Sequence, residues 1–225
     1  MSMSPGATGF SAEDPAPFST AAGAAGRRRP GGRTGRVRAR VLEAVSEQLV
    51  EGGFDALSVD GVAERAGVHR TTVYRRWRDV GGLLADVLDA ASDDDWAPGD
   101  TGSLVGDLSA LNEEVLAALT AQPPVTMALI AASFRSGQAA DALQRFWEDR
   151  YARCEVVVRR AAERGEVPAG TDARQVLVAA TAPLYHQLVL LRTAPDARLA
   201  RYAAQGAAVA ASAGVFADRR AEPGV

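Results

Sequence analysis

Residues 69–77 have the sequence His-Arg-Thr-Thr-Val-Tyr-Arg-Arg-Trp, in which most side chains can bind an anionic partner. Val73 and Trp77 are four positions apart, so in a helix they share one apolar face and leave the polar side chains on the others. Arginine can bind guanine through two hydrogen bonds, threonine can contact a thymine methyl group or a phosphate, and tyrosine can donate to a phosphate. These residue types in this order indicate a nucleic-acid contact surface.

The charge distribution supports this interpretation. Residues 27–78 contain 12 arginines and six acidic residues, although the whole chain has a net charge of −3. Residues 81–225 are acidic, with 13 arginines against 19 acidic residues. A basic segment attached to an acidic body is typical of a small nucleic-acid-binding module. A solvated basic face without a partner is the alternative that charge alone leaves open.

The elements that position these side chains follow from apolar residues at helical spacing. A first helix is predicted over residues 36–52, ending at Gly52-Gly53, and Ser58 is placed to N-cap a second helix that stops at Gly67. The apolar positions of these two helices are Val37, Val41, Ala44, Val45, Leu49, Val59, Val62, Ala63 and Ala66. This second helix and the segment at 69–77 are two short helices joined by a tight turn at Gly67. They predict a helix-turn-helix in which the segment at 69–77 enters the DNA major groove.

The pattern from Val41 to Trp77 resembles the N-terminal DNA-binding domain of TetR-family transcriptional regulators, and it matches without a gap. The residues that carry the resemblance are Val41, Leu42, Ala44, Val45, Leu49, Gly53, Phe54, Ser58, Val59, Val62, Ala63, Ala66, Gly67, Val68, Val73, Tyr74 and Trp77. The resemblance implies a homodimeric repressor that binds a pseudopalindromic operator in double-stranded DNA. It also implies release of that operator by a small-molecule effector.

The predicted DNA contacts are Arg36, Ser58, His69, Arg70, Thr71, Thr72, Tyr74, Arg75 and Arg76. Two positions depart from the family pattern. His69 stands where the family commonly has a Ser or Thr that caps the recognition helix, and Val80 stands where a Lys often contacts phosphate. Arg78 and the two arginines before Trp77 are the nearest replacements for that lysine.

The alanine-rich and isoleucine-poor composition predicts an all-α protein. We expect about nine helices: a three-helix helix-turn-helix head followed by a helical ligand-binding and dimerisation bundle. The predicted organisation is a disordered basic arm at 1–35, the DNA-binding domain at 36–82, the ligand-binding and dimerisation domain at 83–218 and a disordered tail at 219–225. The arm either contacts DNA or only adds solubility. Body helices are predicted at 103–121, 124–136, 140–165, 172–193 and 196–217.

The last two helices are expected to form the dimer interface. Residues 176–191 are apolar on nearly every face, which a monomer surface would hardly tolerate. The last helix carries a continuous stripe of Leu199, Tyr202, Ala203, Gly206, Val209, Ala210, Ala213 and Phe216. This pair resembles the helices that form a four-helix interface in family dimers. Residues 141–168 and 182–186 resemble a C-terminal domain common among members whose recognition helix ends in Tyr-Arg-Arg-Trp.

A mainly apolar effector is predicted to bind in the space enclosed by the fourth to eighth helices. Pro183 is expected to kink its helix, and kinks inside bundles often lie beside cavities. The candidate lining residues are Met127, Ile130, Phe134, Phe146, Trp147, Tyr151, Tyr185 and His186. Plain core or dimer packing is the alternative for each, and a satisfied structural hydrogen bond is the alternative for Tyr185 and His186.

Other classes of function have little support in the sequence. No nucleophile elbow, phosphate loop or metal-ligand spacing is present, so neither an enzyme nor a cofactor is expected. Cys154 is the single cysteine and is expected to pack in an apolar helix face. Asp93, Asp94 and Asp95 are expected to be a solvated loop. The remaining alternative is a helix-turn-helix protein with a filled cavity that binds DNA constitutively or scaffolds a partner.

The longest uncharged run, residues 115–134, is divided by Gln122-Pro123-Pro124. A membrane-spanning helix needs about 20 predominantly apolar residues, so two separate helices are predicted here. We therefore expect a cytoplasmic protein without a membrane partner.

Overall fold

A computed structural model describes residues 32–217 of the chain, and the regular elements in this range are helical. The helices are α1 (Arg33–Ala56), α2 (Val59–Ala66), α3 (Arg70–Trp77), α4 (Val80–Ser92), α5 (Leu104–Thr120), α6 (Val125–Ser133), α7 (Gly137–Glu163), α8 (Ala173–Tyr185) and α9 (Ala197–Ser212). α8 continues into a π-helical turn, His186–Leu190. The prediction of an all-α fold with about nine helices is confirmed for the described residues.

Side-chain caps explain where most of these helices begin. The oxygen of a Ser or Asp side chain accepts a hydrogen bond from a backbone N–H in the first turn of six helices. Such a cap satisfies one of the donors that a helix start leaves without a partner. The capping residues are Ser58, Asp79, Ser103, Ser136, Asp172 and Asp196.

The largest differences from the predicted helix ends are in α1 and α9. α1 begins at Arg33 rather than at residue 36, and it continues to Ala56 across a break at Gly53, where φ is 70°. α9 ends at Ser212 rather than at residue 217, because the chain turns at Gly214 with a φ of 77°. Residues 1–31 of the predicted arm, residue 218 and the predicted tail at 219–225 lie outside the described residues.

Buried apolar side chains form two clusters, one in the head and one in the body. The head cluster joins α1–α4, with Val41, Val73 and Leu84 fully buried, but it also includes Leu129 of α6 and Ala142 of α7. The head therefore packs directly on two body helices. The predicted domain boundary between residues 82 and 83 lies inside α4.

The body cluster is built around α5, which contacts α7, α8 and α9. Asn112 of α5 is fully buried, and its Nδ2 donates to the carbonyl oxygens of Ala180 at 2.9 Å and Ala200 at 3.0 Å. One amide thus ties α5 to both C-terminal helices. None of the described helices is long and apolar enough by itself to cross a membrane; α5 and α6 meet that test only as a joined pair, and they are bent by 83°.

Asp86 of α4 links three helices of the head. Its carboxylate accepts hydrogen bonds from Trp77 Nε1 of α3 at 2.7 Å and from Arg38 Nη2 of α1 at 2.7 Å. Burial alone raises the pKa of Asp86, but the hydrogen bonds from Arg38 and Trp77 outweigh it and leave the pKa below its usual value. The carboxylate is therefore charged at neutral pH and fixes the end of α3 against α1 and α4.

Arg150 of α7 forms a second link to α4, near the C-terminal end of that helix. Its side chain is 1% exposed, and its Nη2 donates to Asp94 Oδ2 at 2.6 Å and to the Ala91 carbonyl oxygen at 2.6 Å. Arg153 also donates to Asp94, at 2.9 Å. The expectation of a solvated loop is therefore wrong for Asp94, whereas Asp93 and Asp95 are exposed.

We predict that replacing Asp86 by Asn lowers the free energy of unfolding by about 1–3 kcal/mol at neutral pH, because Arg38 and Trp77 lose a charged acceptor. The pKa of Asp86 is lowered in the folded protein, so its contribution is present above the unfolded-state pKa. It is lost as the pH falls through the folded-state pKa. Urea unfolding at neutral and acidic pH measures both effects.

The matched control for this prediction is Asp89→Asn, since Asp89 is also on α4 but forms an exposed pair with Arg145 at 3.1 Å. An exposed pair contributes about 0–1 kcal/mol. If the Asp86→Asn variant loses as much free energy of unfolding in acid as at neutral pH, relative to wild type, the assignment is contradicted.

The link between Asp94 and Arg150 predicts a large difference between two neighbouring aspartates. Asp94→Asn leaves the guanidinium of Arg150 buried without a carboxylate and should lower the free energy of unfolding by about 3–5 kcal/mol. Asp95→Asn changes an exposed side chain and should stay within about 0.5 kcal/mol of wild type. Thermal and urea unfolding of the two variants compare them directly, and similar stabilities would show that the buried pair is energetically unimportant.

Candidate nucleic-acid interface and aromatic cluster

The turn between α2 and α3 is fixed by backbone geometry and by one side chain of α1. Gly67 adopts a left-handed conformation, with φ 59° and ψ 40°, which glycine reaches without strain. The guanidinium of Arg40 donates to the carbonyl oxygens of Ala66 and Gly67. The turn therefore sets the direction in which α3 leaves α2.

α3 buries one face and exposes the rest. Val73 is 0% and Trp77 5% exposed, so these two residues fix the rotation of the helix about its axis. Tyr74 is 44% exposed, and Thr72 is half-buried. The remaining predicted contact residues of this segment are exposed: His69, Arg70, Thr71, Arg75 and Arg76.

The exposed face of α3 carries positive charge that the head does not neutralise. Within residues 32–217, neither Arg70 nor Arg75 forms an ion pair with a carboxylate. The guanidinium of Arg76 lies 5.0 Å from the centroid of the Trp77 ring, which orients it along the helix end. An uncompensated cationic face on an eight-residue helix suits a polyanion.

The other predicted contact residues have distinct surroundings. Ser58 is exposed and its Oγ accepts the Gly61 N–H at 3.1 Å, which leaves the hydroxyl proton free to donate. His69 is the residue before α3 but makes no capping hydrogen bond, and its Nδ1 lies 2.8 Å from Thr71 Oγ1. Arg36 is exposed in the first turns of α1. Val80, in place of the family lysine, is half-buried against the head core.

A cluster of four aromatic side chains lies between α7 and α8. Trp147 is at its centre, with ring centroids 5.0 Å from Phe146, 6.4 Å from Tyr151 and 5.3 Å from Tyr185. The Tyr151 hydroxyl lies 3.1 Å from Thr181 Oγ1 and is therefore hydrogen-bonded. These four residues were all predicted to line an effector site, and the fold brings them together.

The remaining predicted lining residues divide into two groups. Met127 and Ile130 of α6 pack on the body core. Phe134 and His186 do not join the cluster. Phe134 is 77% exposed because it follows the last turn of α6, and His186 is exposed because it lies on the outward side of α8, in line with Ala182 and Leu190. We therefore remove Phe134 and His186 from the candidate effector site.

Two polar groups of the body are shielded from solvent. The hydroxyl oxygen of Tyr185 is buried without a hydrogen-bond partner among the described residues, and burial raises its pKa well above the usual value. Burial likewise raises the pKa of Cys154 to about 12, which keeps it a thiol and makes it a poor nucleophile. Residues 32–217 contain no group of three or more His, Cys, Asp or Glu side chains that could hold a metal ion.

α9 and the π-helical turn after α8 expose large apolar side chains. Tyr202 and Val209 of α9 are 66% and 64% exposed, and Gly206 and Ala213 lie on the same side of that helix. Leu190, after α8, is 67% exposed. Large apolar side chains gathered on one face are typical of a protein interface.

Comparison with known proteins adds independent information. The sequence model described as "Bacterial regulatory proteins, tetR family" matches residues 41–87, and "Tetracyclin repressor-like, C-terminal domain" matches residues 98–207. The chain is 34% identical to the HTH-type transcriptional regulator AqdR of Rhodococcus erythropolis over 149 residues, which cover 65% of this chain and 71% of AqdR.

Two further relatives agree with these matches. The chain is 34% identical over 172 residues to the DNA-binding transcriptional repressor TetR of Mycobacteroides abscessus, covering 74% of this chain and 90% of that protein. Among solved structures, a complex of SmeT with triclosan has a TM-score of 0.57 and 22% identity, covering 84% of this chain and 98% of SmeT. The SmeT likeness shows a common fold.

Proposed function

The chain belongs to the TetR family of bacterial transcriptional regulators, and from this premise we propose that it is a repressor that binds operator DNA and is released by a small molecule. The observation that carries the proposal is the exposed cationic face of α3, held outward by the buried Val73 and Trp77. The relative from Mycobacteroides abscessus, itself named a repressor, supports the direction of regulation. We also propose membership of the subgroup whose recognition helix ends in Tyr-Arg-Arg-Trp, here residues 74–77.

DNA recognition is assigned to α3 and its surroundings. In a helix-turn-helix, the N-terminal residues of the second helix contact base edges, so Arg70 and Thr71 are proposed to determine sequence preference. Tyr74 and Arg75 are proposed to bind phosphates, as are the other exposed residues of the predicted contact set. The head is proposed to span residues 36–82 and the ligand-binding and dimerisation domain residues 83–218.

The protein is proposed to act as a two-fold dimer through α8 and α9. A symmetric dimer presents two copies of α3, and its operator must then be a pseudopalindrome with half-sites about 34–36 Å apart or a multiple of that distance. The exposed apolar side chains of α9 and of the turn after α8 supply the complementary surface. Contact between two copies would remove these side chains from water, which is favourable at about 25 cal/mol per Å² of apolar surface.

Release by an effector requires a connection between the body and α4. α7 is one continuous helix that carries Trp147 and Tyr151 and also contacts α4 along its length. Its Gln138 lies 3.5 Å from Asp79, the N-cap of α4, and its Arg150 binds Asp94 at the other end. We therefore propose that an effector that displaces α7 also moves α4 and the head. Operator affinity falls if the effector favours the conformation in which the two heads are not correctly spaced for DNA.

The DNA assignment predicts that Arg70→Ala together with Arg75→Ala weakens binding to a duplex selected by the protein from a random pool. Loss of one bidentate base contact costs about 1–3 kcal/mol, so we expect a decrease of about tenfold or more. Fluorescence anisotropy at fixed moderate salt measures the dissociation constant. Arg159→Ala, which removes an exposed arginine of α7, is the control and should bind like wild type. Unchanged affinity of the double variant would refute the assignment.

The dimer assignment predicts that Val209→Arg dissociates the protein, because it places a charge in the centre of the apolar face of α9. Sedimentation velocity should show monomers for this variant and dimers for wild type. Glu155→Arg, at an exposed position of α7, is the control and should remain dimeric. A fully dimeric Val209→Arg variant would mean that the interface uses other helices.

A further inference from the structure

The seam between α7 and α8 contains a buried hydroxyl that has no hydrogen-bond partner within residues 32–217. Tyr151 binds Thr181 at 3.1 Å, and Thr181 in turn donates to the Leu177 carbonyl oxygen at 2.9 Å. The guanidinium of Arg174 lies 4.1 Å from the centroid of the Tyr151 ring. Tyr185, on the same helix as Thr181 and Arg174, has a buried hydroxyl with no partner among the described residues.

The Tyr185 hydroxyl can donate one hydrogen bond and can also accept one, and neither is made by the described residues. Tyr185 carries its proton at neutral pH, as any tyrosine does, and burial raises its pKa further. An unpaired buried donor is unfavourable, and a bound molecule that supplies an acceptor oxygen would remove the penalty. Buried tyrosine hydroxyls usually have a hydrogen-bond partner, so the unpaired hydroxyl of Tyr185 is an exception.

The neighbours of Tyr185 restrict the rest of that molecule. The Trp147 ring meets the rings of Phe146 and Tyr185 at interplanar angles of 76° and 80°, so these three side chains present ring edges and faces to one another. A flat aromatic ring fits such an arrangement, because offset and edge-to-face contacts are its preferred geometries. An aliphatic molecule would bury apolar area but would gain no such contacts.

We propose that the effector is an aromatic molecule with a carbonyl-type acceptor, which binds in the seam and receives the hydrogen bond of Tyr185. This inference rests on the proposed function, whose effector site it places at Trp147, Tyr151 and Tyr185. Trp147 follows Phe146, whose ring lies 5.1 Å from the guanidinium of Arg150, and Arg150 binds Asp94 after α4. An occupant of the seam therefore contacts the part of α7 that holds α4.

Three probes of matched shape test the chemistry. 2-Acetylnaphthalene has the ring and the acceptor, 2-ethylnaphthalene has the ring alone, and cyclohexyl methyl ketone has the acceptor alone. Equilibrium dialysis against the wild-type protein should give a dissociation constant for 2-acetylnaphthalene about tenfold or more below those of the other two. Equal binding of the two naphthalenes, or no binding of any probe, overturns the proposal.

Two conservative variants locate the acceptor's partner. Tyr185→Phe should make the two naphthalenes bind equally and should leave the melting temperature of the free protein unchanged or higher, because the lost hydroxyl had no partner. Tyr151→Phe, the control, should keep the preference and melt lower, because its hydroxyl is bonded to Thr181. A preference that survives in Tyr185→Phe, or a melting temperature of that variant as low as that of Tyr151→Phe, overturns the assignment.

Anisotropy with the selected duplex separates this inference from the function on which it rests. If no probe changes DNA binding and the protein does not prefer the probe with an acceptor, the effector assignment is wrong. The DNA-binding function is then unaffected. If the protein prefers 2-acetylnaphthalene through Tyr185 but binds no duplex, the proposed function is wrong. The small-molecule site is then unaffected. Release of DNA by 2-acetylnaphthalene alone, lost in Tyr185→Phe, supports both.

Discussion

The orientation of the recognition helix depends on the carboxylate of Asp86, which receives hydrogen bonds from α1 and α3 while it belongs to α4. Because one group serves three helices, α3 cannot rotate without breaking the contact between Trp77 and Asp86. The opposite face of α3 can then consist of polar and cationic side chains, since Val73 and Trp77 already supply its packing. The exposed arginines are free for a partner because the helix does not need them for stability.

α4 is also where the head meets the body. Asp94, just beyond its C-terminal end, holds Arg150, and a guanidinium that is 1% exposed must keep its carboxylate because an unpaired buried charge is very unfavourable. α7 and the end of α4 therefore move together. The aromatic cluster of Trp147, Tyr151 and Tyr185 lies on α7 and α8, so a change in that cluster reaches α4 through a rigid helix rather than through a flexible loop.

Much of the head could be predicted from the sequence, because apolar spacing, Ser58 and Gly67 determine α2 and α3 locally. The role of Asp94 could not be predicted from the sequence. Three consecutive aspartates look alike in a sequence, and the partner that distinguishes the middle one is 56 positions away on α7. Phe134 and His186 were misplaced for a related reason: residue type suggested a lining role, whereas the outward side of each helix is set by the packing of neighbouring elements. In α9, Tyr202 and Val209 of the predicted stripe are exposed, whereas Leu199 and Ala203 of the same stripe pack on the body core. This division follows only from the contact of α9 with α5 and α8.

The central claim is that two copies of α3 bind adjacent major grooves of one duplex. Methylation interference on the selected duplex measures this directly, because methylation of guanine N7 blocks contacts in the major groove. The account predicts two groups of interfering guanines on one face of the DNA, related by a dyad and separated by about one helical turn or a small multiple of it. A single unsymmetrical group, or interference confined to adenine N3 in the minor groove, would contradict it.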